Sequence, residues 1–463
     1  MDSHALVLLH RSLRLEDNTA LLAALEAHER VSVGFLFDPR QLEPHPYRSL
    51  NGLQYLLQAL EALEVAVAAQ GGTLHLWQGP LEEVFSTVIS THGITPVYIH
   101  RDYTPFARCR EKALQHMAST KNVQLYSYAD VLLTEPEQVN THTGTPYKVF
   151  SAFHRAAAVH PVRPPRPFPH GRRLEALPPD PHRTTIAAVR RAFLPTLNPH
   201  ITAMGARKEA LSQLQHLPEN YAQRRDTPAD TTGTSHLSAA HKYGTISIRE
   251  SYQSLREQLG VESPLLRQLY WRDFFTHVAW HWPEVFTHQS WQGAYEGVIW
   301  DQNPVALERW KAGMTGFPII DAGMRQLRAT GWMHNRVRML TASFLTKQLH
   351  LHWREGERHF ATHLVDYDPC VNNGSWQWAA STGTDAQPYF RVFNPWLQQR
   401  RYDPEARYIY HWVPELRAFT PQQVHTWYAQ APLHELYPPP MCDHRQEANI
   451  AIGRFRAARG ASS

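Results

Sequence analysis

The sequence predicts two architectures in one chain of 463 residues: a Rossmann-like parallel α/β sheet first, then an all-helical region. Three observations predict it. Short apolar runs alternate with amphipathic segments as far as Tyr128. A proline-rich stretch follows, from about Val159 to His200. Beyond about Ile201 the strand-like alternation largely disappears.

In the first region Ala5–Leu9 is a strand-like apolar run. Asp17 and Asn18 offer helix caps ahead of Thr19–His28. Val31–Phe37 is apolar again, and Gly52–Gln70 carries leucines at helical spacing. Leu74–Trp77 (strand), Leu81–Thr91 (helix), Val97–His100 (strand), Pro105–Ser119 (helix) and Val123–Tyr128 (strand) complete the alternation. A dinucleotide site would place GxGxxG after the first strand. The turn instead reads Arg11-Ser12-Leu13-Arg14-Leu15-Glu16-Asp17-Asn18, with no glycine. Pro161–Pro167 and Pro178, Pro179 and Pro181 exclude regular helix or central strand, so this stretch is expected to be a solvated connector. Leu265–Ala279, Pro304–Lys311, Ile319–Thr330 and Asn335–Leu349 suit helices with Gly and Pro at their ends. The expected divisions are 1–130 for the α/β domain, 131–200 for the linker and 201–463 for the helical domain.

Composition bounds the function. Hydrophobic residues at 43% and charged residues at 19% are globular values, and a formal charge of +4 permits an anionic partner without requiring one. Cys109, Cys370 and Cys442 are far apart and form no disulfide framework, which fits a reducing cytoplasm. No signal-type leader or membrane-spanning apolar run is present, so a soluble protein without a membrane partner is expected. Fourteen tryptophans are the outlier; core packing is the ordinary role for each.

Four segments carry chemistry. Gly233-Thr234-Ser235-His236-Leu237-Ser238 precedes a helical run, where small hydroxyl residues suit phosphate, although an ordinary cap by Ser235 or Ser238 explains them equally. Trp271-Arg272-Asp273 offers a stacking face and a phosphate clamp, or else a surface Arg–Asp pair beside a core tryptophan. In Asn335–Met339, Arg336 and Arg338 point to different helix faces. Asp366–Trp378 packs two acids, two amides and two tryptophans into thirteen residues. No His or Cys stands at ligand spacing with the acids, so no metal is expected there.

These segments resemble the photolyase/cryptochrome family. Arg225-Asp226, Gly233–Ser238, Trp271-Arg272, Gly316–Arg325, Trp353–Glu357, Asp366–Tyr389 and Phe393-Asn394-Pro395 carry the resemblance, which runs from about Tyr221 to Leu416. It is greatest to the class I cyclobutane pyrimidine dimer photolyases. The resemblance implies a U-shaped FAD in the helical domain. Tyr221, Thr234, Ser235, His236, Leu237 and Ser238 match its phosphate side, and Arg272, Asn335 and Arg338 match its pocket. Asp366 and Asp368 match the acids near the ribityl chain and ring, and Asn372 matches the residue facing flavin N5. Trp376, Trp353 and Trp300 match an electron-relaying tryptophan series. UV-damaged DNA is the implied partner, contacted by Arg225, Gln268, Trp271, Arg272, Asn335, Arg336, Met339, Trp378 and Gln398 of a monomer. Gln268, Asn335 and Asn372 are the implied catalytic residues.

The sequence departs from the family pattern in three places, one of them Ile409-Tyr410-His411-Trp412, which replaces a basic pair common in the family. Gln268 stands where dimer photolyases usually have Glu; (6-4) photolyases tend to have Gln there, but they carry a His where this chain has Asn335. Tyr103–Arg108 lacks the Asn-Glu pair of folate-binding members, so an antenna would be a deazaflavin or a flavin rather than folate. A cryptochrome-type photoreceptor and an ordinary flavin oxidoreductase are the competing readings. Asn372 weighs against a plant-type cryptochrome, and the absent GxGxxG against the oxidoreductase.

Overall fold

The computed structural model describes residues 4–287, 290–430, 435 and 437–461. Five strands, β1 (His4–Leu9), β2 (Arg30–Phe37), β3 (Leu74–Gln78), β4 (Ile94–His100) and β5 (Gln124–Tyr128), form one sheet in the order β3-β2-β1-β4-β5. Every pairing is parallel. Side chains of β1 alternate between two cores. Ala5, Val7 and Leu9 join one apolar cluster, and Leu6 and Leu8 join another on the opposite face. Helices on both faces are what make a fully buried β1 possible. Asn18 caps the first helix, Thr19–Ala27, by accepting from the Leu21 N–H.

The proline-rich stretch is exposed along much of its length but is anchored to the sheet rather than free. Residues 182–184 pair antiparallel with the free edge of β3: the Gln78 N–H donates to the His182 carbonyl at 3.0 Å, and the Thr184 N–H to the Leu76 carbonyl at 2.9 Å. Leu174, Leu177, Ile186, Val189 and Leu194 are buried beneath it. The prolines do break regular structure, but an unpaired sheet edge needs donors and acceptors, and interspersed leucines supply the apolar anchor. Prolines at 178, 179 and 181 sit just outside the paired residues.

From residue 201 onward the described residues contain helices and no strand longer than one isolated bridge. Their main core gathers Trp310, Phe317, Trp353, Phe360, Trp376 and Trp427. Among the described residues no helix is long and apolar enough to cross a membrane.

The two regions are joined by buried ions. Asp17 accepts from Arg163 (2.6 Å) and Arg249 (2.7 Å); Asp130 accepts from Arg14 (2.6 Å) and Arg249 (2.6 Å) and from the Thr19 hydroxyl. Burial by itself would raise the Asp130 pKa, but Arg14, His100 and Arg249 outweigh it and hold the carboxyl well below the usual range. Asp130→Asn leaves two guanidiniums short of a countercharge, and is expected to cost about 3–5 kcal/mol, read as a lowered Tm. Because the folded pKa lies below the unfolded one, the Asp130 contribution is complete above about pH 4. It is lost as the pH falls toward the folded value, so the Tm gap between parent and variant should narrow in acid.

Candidate functional site

Helix Pro369–Ala380 organises the site. Pro369 occupies its first turn, and the Asp368 carboxylate caps it by accepting from the backbone N–H groups of Cys370 (3.0 Å) and Val371 (3.2 Å). Residues four apart share a face. Asn372 and Trp376 are therefore both buried on one side, while Asn373 and Gln377 are linked on another by an amide hydrogen bond of 3.1 Å. Gly374 lets Phe275 of helix Pro264–His281 approach; a Cβ there would lie 2.2 Å from the Phe275 ring. Trp378 stays half-buried near the C-terminal end.

Asp368 has a second task. Its other oxygen accepts from the Arg11 guanidinium, which comes from the turn after β1. Arg11 also donates to Asp102 at 3.1 Å and to the Lys242 carbonyl at 3.1 Å. Burial opposes the charge on Asp368, but Arg11, Lys242 and Arg272 outweigh it and keep the acid ionised well below the usual range. Burial and then Arg11 lower the Lys242 pKa to about 8. Asp366, with its side chain 5% exposed, is paired with Arg338 at 3.0 Å, and the Arg338 Nε donates to the Met333 carbonyl. The two acids of the segment thus carry separate cationic partners.

The structure brings most of the sequence-selected residues onto neighbouring elements. Asn372 donates its amide to the Glu357 carbonyl at 3.0 Å, tying it to helix Trp353–His363. Trp376 packs on that helix at Gly356, where a Cβ would meet its ring at 2.1 Å. Trp353 is fully buried and stacks on His352 (5.7 Å, 25°), whose ring meets the half-buried Trp300 edge-on at 5.4 Å. Trp376 and Trp353 are therefore both buried, and Trp300 is the half-buried member of the series. Arg336 pairs with Asp226 at 2.8 Å and lies over the Tyr402 ring at 4.5 Å, so Arg336 and Arg338 do serve different partners. Asn335 is exposed beside the half-buried Met339. Gln268 donates to the Pro264 carbonyl of its own helix at 3.2 Å. The Gln398 Oε1 is buried without a partner.

The loop from Arg225 to Leu237 is fixed by Arg224, which pairs with Asp230 at 2.7 Å, and Arg225 lies over the Tyr221 ring at 5.3 Å. His236 adopts a left-handed backbone (φ 52°), with its Nε2 2.8 Å from the Thr231 carbonyl and its ring against Trp332 at 4.7 Å. The helix after this loop, Ser238–Tyr243, has no side-chain cap, so neither Ser235 nor Ser238 serves as one. Leu237 is buried in a cluster with Tyr221.

The Arg–Asp pair at 272–273 is not on the surface. Asp273 is 1% exposed and accepts from the Leu133 and Thr134 N–H groups, while Arg272 donates to the Val131 carbonyl at 2.7 Å. On a helix buried on nearly every side, both residues turn toward the segment that follows β5. Two contributors escaped the sequence reading. Arg11 lies in a turn noted only for lacking glycine, and its charge there was the one available signal. Phe150 stacks on Trp271 at 3.7 Å and 9°, but nothing in its local pattern marks it.

A flavoprotein class emerges first from the comparisons, because residues 265–457 match the FAD binding domain of DNA photolyase. Residues 5–170 match the DNA photolyase family model. The deoxyribodipyrimidine photo-lyase of Alkalihalophilus pseudofirmus is 35% identical, with 98% of each chain covered. An archaeal photolyase of Sulfolobus tokodaii, solved with two FAD molecules, is 36% identical with a TM-score of 0.89, covering 98% of this chain and 100% of that one. A bacterial class III photolyase from Agrobacterium tumefaciens is 31% identical with a TM-score of 0.89, covering 99% and 98%. The chain belongs to the DNA photolyase family.

Burial raises the Asp273 pKa to about 7, against the smaller opposing effect of Arg272. The folded state then holds a proton that the unfolded state releases above about pH 4, so this residue's contribution falls as pH rises from about 4 to 7. Asp273→Asn keeps an acceptor for both N–H groups and lacks the charge. Its Tm relative to the parent should rise between pH 5 and pH 7.5.

Proposed function

We propose that the protein is a class I-type photolyase: a monomer that uses light and reduced FAD to split cyclobutane pyrimidine dimers in UV-damaged DNA in the cytoplasm. The observation that carries this reading is helix Pro369–Ala380, which sets Asn372 and Trp376 one turn apart in the interior and leaves Trp378 half-buried at its far end. Its three free cysteines suit a reducing compartment.

The donor set fits FAD. Thr234, Ser235 and Ser238 would hold the phosphates with the backbone around His236 and Leu237, and Tyr221 would close that side. Arg338 and Asp366 offer a fixed cation and acid to the ribityl region, with Arg272, Asn335 and Asp368 lining the pocket. When bound and reduced, FAD supplies a photoexcitable electron donor. Asn372 would face its N5 and, being an amide, has no carboxylic proton to give. Trp376, Trp353 and Trp300 would relay electrons inward from the surface. Trp353→Phe should slow light-driven reduction severalfold or more, measured by the loss of oxidised-flavin absorbance, while chemically reduced variant repairs DNA as the parent does.

On the substrate side, Arg225 and Arg336 would hold backbone phosphates and give strong salt dependence. Trp271 and Trp378 would be the flat walls for a flipped-out lesion. Gln268 and Asn335 would hydrogen-bond it, with Met339 and the unpartnered Gln398 Oε1 beside them. An antenna of deazaflavin or flavin type suits the crevice at the C-terminal ends of β1 and β4, where the strand order reverses. His10, which follows β1 with a buried Nδ1 lacking a partner, and the nearby Arg110 would face it. The second FAD of the Sulfolobus tokodaii protein supports the flavin choice.

Gln268 favours one alternative, preference for (6-4) photoproducts. The test is blue-light repair of defined dimer and (6-4) oligonucleotides by the reduced protein. Restored thymines from the dimer are expected; a flavin-loaded protein that restores none refutes the proposal and leaves the photoreceptor reading. Gln268→Glu should raise the dimer repair yield roughly two- to tenfold, since a charge-assisted hydrogen bond is about twice as strong as a neutral one.

A further inference from the structure

The two tryptophans assigned to the lesion walls stand on different helices, Trp271 on Pro264–His281 and Trp378 on Pro369–Ala380. A slot for stacked bases needs its walls held at one separation. A third segment, from the connector, touches Trp271 itself and the turn that follows the Trp378 helix. The Phe150 ring is 2% exposed and lies parallel to Trp271, with centroids 3.7 Å apart and planes 9° from each other. The Arg267 guanidinium covers the same phenyl ring at 5.2 Å. Phe274 closes its edge at 5.8 Å. Trp271 thereby has one indole face occupied and its torsions blocked, yet stays partly exposed.

The backbone of this segment is tied to the other wall. The Phe150 N–H donates to the Asp385 carboxylate at 3.0 Å, and the Thr384 hydroxyl donates to the Lys148 carbonyl. Both acceptor and donor sit in the turn that leaves the Trp378 helix. That turn begins at Ser381 in a left-handed conformation, and it returns to the helix through the Gln387 N–H, which donates to the Trp378 carbonyl at 3.2 Å.

We infer that residues 148–150 are a brace between the two walls, with Phe150 the positioning residue that fixes Trp271 for a stacked lesion. The inference rests on the reading that Trp271 and Trp378 flank the lesion. It concerns how tightly the lesion is held, not the flavin chemistry.

Phe150→Leu, Phe150→Tyr and Asp385→Ala would be compared with the parent holoenzyme, using a thymine-dimer oligonucleotide and its undamaged counterpart. Binding in the dark and the KM and kcat of repair are the readouts, and flavin absorbance checks folding. Phe150→Leu should weaken dark lesion binding and raise KM roughly tenfold, given the usual worth of base–aromatic stacking. Its kcat should stay within about twofold and its affinity for undamaged DNA should not move, because only the fit of the flipped lesion depends on the brace. Phe150→Tyr should restore parental values, and Asp385→Ala should weaken lesion binding severalfold. Parental lesion binding by Phe150→Leu overturns the inference. If Phe150→Leu fails to hold flavin, Asp385→Ala decides, and parental binding there overturns it equally. A parent that binds the lesion but restores no thymines refutes the repair reading instead, and leaves the dark-binding comparison intact.

Discussion

Everything at the site depends on the pairing of buried charges around the turn after β1. Asp17 and Asp130 face Arg14, Arg163 and Arg249, all from different parts of the chain. Ions taken out of water are tolerated only when each finds a partner of good geometry, and losing one partner strands the rest. The turn therefore has one stable placement against the helical region. That placement aims Arg11 at Asp368, which caps the helix bearing Asn372, Trp376 and Trp378. Through the Arg11 guanidinium the sheet domain thus reaches the cap of that helix.

From that cap onward, simple periodicity separates tasks. A helix turns 3.6 residues at a time, so neighbours in sequence diverge in space. Asn372 meets Glu357, Asn373 meets the Val285 carbonyl, Trp376 lies on Gly356, and Trp378 approaches the surface. The missing side chains at Gly356 and Gly374 are as necessary as the large rings, because each lets an aromatic group rest directly on backbone. The site is dense for this reason, and its acids keep separate cations rather than competing for one.

Much of this was legible in the sequence. The strands and the helices at 264–281, 304–312, 318–330 and 335–347 follow apolar spacing with Pro and Gly ends, and these signals are local. Asp366–Trp378 was conspicuous because its functional residues fall in one short window. The strap at 174–194 was not legible as packed structure, since edge pairing with β3 is a long-range event and prolines mimic a solvated linker. A surface position was one of the two readings open for Asp273, because an Arg–Asp dipeptide looks self-sufficient; the Leu133 and Thr134 N–H groups that bind it in the interior lie some 140 residues upstream. Arg11 and Phe150 escaped for the same reason. Their partners are far away in sequence, and neither residue sits in a pattern of its own.

The strap has a consequence for how such a protein could be recombined. A fragment cut after β5 would leave β3 with an open hydrogen-bonding edge and strip the cover from an apolar face. Such a fragment would recruit other chains to that edge. The transferable module is thus not the five-stranded sheet but the sheet together with its strap, as far as Leu194. The same stretch of chain carries Phe150 against Trp271 before it returns to the sheet. A graft of one domain onto a foreign partner therefore brings along, or forfeits, part of the other domain's aromatic wall.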